Sequence, residues 1–267
     1  MKLSYVIGDP AGNITLMVTS SVPVEKREAA AAALMRLASP TVEQVGFFTE
    51  PTLGAAARLE MCGGEFCGNA LRCAGMYTAI QNKAPDGEIF KIEISGCPVP
   101  MDVRVYPTKQ TAEASIPGPK EILEETISGK KLGVVVFDGI VHGILEGEYA
   151  DEELAKKLTR ILAEKYQKNA AGLLSFCWKD GAYRMEPWVF VPAVDTLFHE
   201  NSCASGTAAL ACYLGEEEMA GIFEYRVVQP GGELKAVTIL EECDCLALSV
   251  SGPVVLFEEQ TAQIEIE

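Results

Sequence analysis

Two cysteines stand in matching local sequence: GNALRCAGMYTAI follows Cys67 and ASGTAALACYLG follows Cys203. In each case small residues come straight after the sulfur and an apolar, helix-forming run continues. A helix N-terminus offers unpaired backbone N–H groups and a partial positive charge. It therefore lowers the pKa of a cysteine placed there and binds a carboxylate, both at one place. Two such ends facing one another would bring two thiols and two anion sites to one cleft. That suits inversion at the α-carbon of an amino acid. One thiolate removes the proton while the opposite thiol supplies another. Helix-end amides would stabilise the charge that spreads onto the substrate carboxylate. The scheme needs no imine-forming lysine, so no pyridoxal phosphate or other cofactor is expected. Taken singly, either cysteine also reads as a structural residue at a glycine-rich helix start.

These cysteines must be held by the elements around them. Amphipathic, Ala-, Glu- and Lys-rich runs predict surface helices over Val24–Ala38 and Asp151–Tyr166. The two cysteine-headed runs, Gly68–Gln81 and Ser205–Met219, are apolar nearly all round and predict buried helices. Short β-branched runs predict strands at Tyr5–Ile7, Thr15–Thr19, Lys91–Ser95, Val103–Tyr106 and Gly133–Phe137. Further ones follow at Trp188–Val191, Tyr225–Val228, Ala236–Leu240 and Leu246–Val250. Cys67 and Cys203 lie 136 residues apart, and so do Gly96 and Gly232, each a glycine turn feeding a strand. One offset shared by two marks predicts an internal duplication. The halves would be 1–118 and 119–267, joined through the turn-rich IPGPKE at Ile116–Glu121, with the last strand free to return to the first half. The expected class is α/β, with two pseudo-symmetric domains, each a strand-rich sheet or barrel around one buried helix.

Composition narrows the remaining options. The 267 residues are 48% hydrophobic and 22% charged, which is ordinary for a globular chain and excludes wholesale disorder. With 22 Lys+Arg against 38 Asp+Glu the net charge is −16, which disfavours nucleic acid and anionic membrane surfaces as partners. No apolar run reaches the roughly 20 residues that cross a bilayer, and the start lacks a secretion signal. Nine cysteines without such a signal point to reduced thiols in a cytoplasm. Cys73, Cys97, Cys177 and Cys212 read as core fillers. The spacing of Cys62, Cys67 and Cys73 is too loose for the usual zinc site, so no metal is assigned. Cys243 and Cys245, two apart, would share a strand face. A non-enzymatic metal or redox protein remains the alternative of another class. The acidic and basic runs at 121–131 and 151–168 read as solvated surface. Exposed strands in a duplicated fold would suit a homodimer.

CGGEFCGNALRC at Cys62–Cys73 and ENSCASGTAAL at Glu200–Leu210 resemble the two signatures of the diaminopimelate epimerase family. The likeness spans most of the chain and keeps its order, through PAGN at Asn13, EQVGF at Gln44, VHG at His142 and QPGG at Gln229–Gly232. It implies a pyridoxal-independent enzyme on a duplicated α/β fold, with Cys67 and Cys203 as the acid/base pair. It further implies that Gly68 with Asn69, and Ala204 with Ser205, hold the α-carboxylate or α-amino group. Asn13 and Gln44 would contact the amino-acid head, and Glu200 would suit the α-ammonium. Met61, Ile140 and Asn201 stand where that family places polar groups reading a second zwitterion. A distal ammonium and carboxylate would there lie unpaired, at several kcal/mol each. A narrower match exists: EQVGF, the GxEFCGNA string, SGC, VH without a preceding GN, ENSCxSGTA and QPGG together are similar to histidine racemases, which supply D-histidine for opine metallophores. An imidazole, neutral near pH 7, tolerates such a lining. His199 and Glu43 are candidates to read it. Racemisation of another amino acid, diaminopimelate epimerisation and a different isomerisation on the same fold stay open.

Overall fold

The structure is a computed structural model, and it describes residues 1–38, 42–216, 218–242 and 244–265. Cys243 lies outside these. By its contacts the chain divides into two compact units, one of Met1–Ser115 with Ser251–Glu267 and one of Ile116–Val250. No helix among the described residues is long and apolar enough to cross a membrane.

The first unit runs β1 (Lys2–Asp9), β2 (Thr15–Val18), α1 (Arg27–Ala38), β3 (Gln44–Thr49), β4 (Ala57–Met61) and α2 (Gly68–Gln81). It continues through β5 (Ile89–Ile94), β6 (Met101–Tyr106) and β7 (Thr111–Ser115). Pairing alternates: β1–β2 is antiparallel, β2–β3 parallel, β3–β4 antiparallel, β4–β5 parallel and β5–β6 antiparallel. Each parallel step needs a crossover connection, and α1 and α2 supply them.

The second unit comprises β8 (Glu121–Ile127), β9 (Lys130–Val136), β10 (Ile140–Glu146), α3 (Glu152–Tyr166), β11 (Ala170–Lys179) and β12 (Ala182–Val191). There follow β13 (Thr196–His199), α4 (Ala204–Gly215), β14 (Gly221–Gln229), β15 (Gly232–Glu241) and β16 (Asp244–Pro253), whose last three residues belong to the first unit. From β9 the same alternation recurs: antiparallel to β10, parallel to β11, antiparallel to β12, parallel to β14 and antiparallel to β15. Again the parallel steps pass through helices, α3 and α4. The last strands, β17 (Val255–Leu256) and β18 (Gln260–Gln263), pair antiparallel with β1.

Helix α2 packs against β1, β2, β4, β5, β6, β7 and β17, so it is covered all round except at its last turn, where Ile80 is exposed. This explains its small residues. A Cβ on Gly75 would lie 2.4 Å from Val103 Cγ1 on β6, a distance no packed carbon tolerates. Leu71 and Met76 are buried there, each contributing about 2 kcal/mol of transfer free energy. Helix α4 is enclosed likewise by β9, β10, β11, β14 and β15. In contrast, α1 buries one face through Ala30, Ala31, Ala33 and Leu34, and α3 one through Ala155, Leu158, Thr159, Leu162 and Ala163.

Helix α2 has the bounds expected from its sequence, and α1 begins after a single 3-10 turn at Val24–Lys26. Helix α4 ends at Gly215, short of the expected Met219. Glutamates follow at 216–218, and negative charge is unfavourable at a helix C-terminus.

Candidate active site

Cys67 is the N-cap of α2, with φ −131° and ψ 110°, and its Sγ accepts a hydrogen bond from Ala70 N at 3.4 Å. Cys203 is the N-cap of α4, with φ −127° and ψ 108°, and its Sγ accepts from Gly206 N at 3.3 Å. Each sulfur does the work that serine or aspartate oxygen does at other N-caps, accepting from a helix-end N–H group.

Around Cys67 three amide side chains interlock. Asn13 follows a turn in which Ala11 adopts φ 72° and Gly12 donates its N–H to Asp9 Oδ1 at 2.6 Å. A left-handed alanine costs roughly 1–2 kcal/mol, so its surroundings must enforce the turn. Asn13 Oδ1 accepts from Gln44 Nε2 at 2.6 Å and from Asn69 Nδ2 at 3.2 Å. Asn13 Nδ2 donates to Glu43 Oε2 at 2.6 Å, and Gln44 Nε2 also donates to Thr15 Oγ1 at 2.8 Å. Arg72 Nη2 donates to Asn69 Oδ1 at 2.7 Å. Since guanidinium can only donate, the Asn69 oxygen must face it and its NH2 must face Asn13.

Around Cys203 the partners differ. Ser205 Oγ lies 3.5 Å from Cys203 Sγ and 3.1 Å from His142 Nε2. Gln229 Oε1 accepts from Cys203 N at 2.8 Å while its Nε2 donates to Thr207 Oγ1 at 3.0 Å. The Cys203 thiol donates to the Glu200 carboxylate. Burial and that carboxylate push the Cys203 thiol well above its ordinary pKa, against the smaller pull of Ser205 and the Gly206 N–H. Here the expectation that a helix end lowers the cysteine pKa is corrected: desolvation outweighs the helix end, and Cys203 rests as a thiol. Burial alone pushes His142 down to about 3, so its imidazole is neutral. Among the described residues no group of three or more His, Cys, Asp and Glu side chains could hold a metal ion.

Residues 2–262 match the family model of the histidine racemase CntK N-terminal domain. The chain belongs to the histidine racemase CntK family. A histidine racemase of Fusobacterium nucleatum subsp. nucleatum is 34% identical to it, over 96% of this chain and 95% of the relative. One from Staphylococcus aureus is 25% identical over 96% of each. A hydroxyproline epimerase structure from Agrobacterium vitis, with bound trans-4-OH-L-proline, aligns with TM-score 0.69 at 9% identity, covering 97% and 92%. A phenazine biosynthesis PhzF family structure from Enterococcus faecalis aligns with TM-score 0.62 at 17% identity, covering 99% and 100%. These structural likenesses establish a shared strand-rich α/β fold.

In this CntK-family chain, Asn13, Gln44 and Asn69 come together beside Gly68 and Cys67, while Glu200, Ala204 and Ser205 gather at Cys203. Met61 is buried at the end of β4, and Ile140 begins β10. The Asn201 carbonyl accepts from Gly231 N at 2.7 Å. Of the two imidazole-reading candidates, Glu43 joins the first cluster through Asn13. His199 instead stacks on Trp188 with centroids 4.2 Å apart and contacts Glu186 Oε2 at 2.7 Å. Arg72, Thr207 and the sulfur-side role of Gln229 escaped the sequence reading. The one available signal was an arginine inside an otherwise apolar helical run.

Proposed function

We propose that this chain interconverts L- and D-histidine by a two-cysteine mechanism without pyridoxal phosphate, Cys67 and Cys203 serving as base and acid. The observation that carries this reading is a pair of cysteines capping topologically equivalent helices, each sulfur held by the N–H three residues on. The family relatives named as histidine racemases support the substrate. The kinship with diaminopimelate epimerases inferred from the two cysteine motifs belongs to the same reading.

In the reaction the Cα–H bond breaks toward one thiolate, forming S–H, and the electron pair delocalises into the carboxylate. The other S–H then breaks and a new Cα–H forms on the opposite face. Cys203, a thiol at rest, donates in the direction in which Cys67 abstracts, and the roles exchange in reverse. N–H groups at Gly68, Asn69, Ala204 and Ser205 suit the carboxylate. Glu200 suits the α-ammonium. A substrate cation drawn to Glu200 would take its charge away from the thiol and ease Cys203 deprotonation as substrate arrives. Met61 and Ile140, in place of polar readers, fit a neutral imidazole.

The test is incubation of a panel of L-amino acids in deuterated buffer, followed by polarimetry and proton NMR. L-Histidine should lose optical rotation and gain one deuterium at Cα. Turnover of a different amino acid in its place would reassign the substrate. Cys67→Ser and Cys203→Ser should each abolish racemisation in both directions, and either variant racemising at the unaltered rate would refute the cysteine mechanism.

A further inference from the structure

Arg72 is the largest fully buried side chain among the described residues, at 0% exposure. It has no carboxylate within ion-pair distance there. Its nitrogens donate instead to three neutral oxygens: Asn69 Oδ1 at 2.7 Å, Pro10 O at 3.2 Å and Pro253 O at 3.2 Å. Nε has no partner. Burying a cation without an anion is strongly unfavourable, and folds rarely retain one idle. The groups whose negative charge favours the Arg72 cation are two sulfurs, Cys73 and Cys67. Burial pushes the Cys73 thiol up to about 12, so it stays neutral at working pH. That leaves Cys67 as the sulfur whose negative charge, once formed, Arg72 would favour.

The three oxygens are as informative as the charge. One belongs to the side chain adjoining the Cys67 cap. The second belongs to the turn that forces Ala11 into the left-handed region and presents Asn13. The third belongs to the returning C-terminal segment ahead of β17. A single forked donor thus ties the helix start, the Asn13 turn and the return segment together.

We propose that Arg72 is the positioning residue of the Cys67 cluster, orienting Asn69 and placing a buried positive charge behind the sulfur that becomes anionic during proton transfer. This rests on the two-cysteine reading above. Charged or ionisable groups near this end of α2 include Asp9 at the end of β1 and the Cys73 thiol, Glu43, which accepts from Asn13, and Glu65 in the segment leading into α2. The packed strands direct Glu60 to Arg27 and Arg58, Glu93 to Thr52 and Arg58, and Lys91 to Asp102. Arg104 and Glu113 face each other across β6 and β7.

The test compares Arg72→Lys with Arg72→Met by peptide-mapped iodoacetamide labelling of Cys67 across pH, together with kcat and KM for histidine. Arg72→Met should move the labelling curve upward by about one pH unit, slowing labelling about tenfold at neutral pH. Arg72→Lys keeps the charge but cannot fork, so its labelling curve should stay while KM rises several-fold. Should Arg72→Met fail to fold, the lysine variant decides alone. A lysine variant with a shifted labelling curve, or with both curve and KM unchanged, overturns the proposal. Labelling reports on the sulfur whichever amino acid is turned over. An unaltered protein inert toward histidine would therefore count against the substrate reading, and KM would then be read for the amino acid it does turn over.

Discussion

At Cys203 two neighbours pull in opposite directions, and the balance is open to experiment. The Glu200 carboxylate accepts from the thiol and repels the thiolate, while the Ser205 hydroxyl, held by His142 Nε2, favours the thiolate. Glu200→Gln should therefore lower the pH at which Cys203 is alkylated, and Ser205→Ala should raise it, each by about one unit. Racemisation should nevertheless fall at least tenfold in Glu200→Gln if, as proposed, Glu200 is the counter-charge of the α-ammonium. Labelling curves that move the same way in both variants would contradict this balance. Residue type and spacing pointed to the two cysteines, while Asn13, Gln44, Asn69 and Glu200 were singled out by the family resemblance of the short motifs that hold them. Arg72 was not legible in its role: its partner Pro253 lies 181 residues along the chain. Nor was the pKa direction at Cys203, which burial decides and a motif does not encode.

Among the elements, helix α2 was legible to the residue because cap, small-residue packing and the polar stop at Asn82 are all written locally. The strands were less so. β11 (AAGLLSFCWK) is buried through most of its length and lacks alternation, while β7 (TAEAS) and β13 (TLFH) are too short to stand out before their neighbours are known. Long-range pairing fixes such strands. The close packing of α2 carries its own prediction. Gly75→Ala would gain about 1 kcal/mol of helix propensity but drive a methyl into β-branched Val103, which costs roughly 1–3 kcal/mol. The clash should win, and the midpoint of urea unfolding should fall. Val103→Ala added to that variant should recover much of the loss. A Gly75→Ala protein more stable than the original would mean that β6 yields and the tight approach is unimportant.

At the scale of the molecule, the same succession of strand pairings appears in both units, and the cysteine-capped helices occupy corresponding places in it. The matching 136-residue offsets are the sequence trace of that recurrence. The second unit has one conspicuous asymmetry, the neutral His142 on β10 with no exposure and no partner for Nδ1. Its ring lies where a Cβ on Gly172 would be, 2.2 Å from Nδ1, so β11 closes over it. In the unfolded chain this imidazole takes up a proton near its ordinary pKa of 6.5, whereas in the fold burial delays that to about 3. Stability from this group is thus complete above 6.5 and is lost as pH falls from there toward 3. The slope is about 1.4 kcal/mol per pH unit, or roughly 2 kcal/mol by pH 5. Carboxylates on a chain of net charge −16 also titrate in this window, so the comparison must be differential. Between pH 7 and 5 the original protein should lose about 2 kcal/mol more unfolding free energy than His142→Gln. The variant keeps a donor toward Ser205 but cannot titrate. Parallel stability curves for the two would show that His142 is protonated in the fold, and the neutral hydrogen bond to Ser205 would then have to be abandoned.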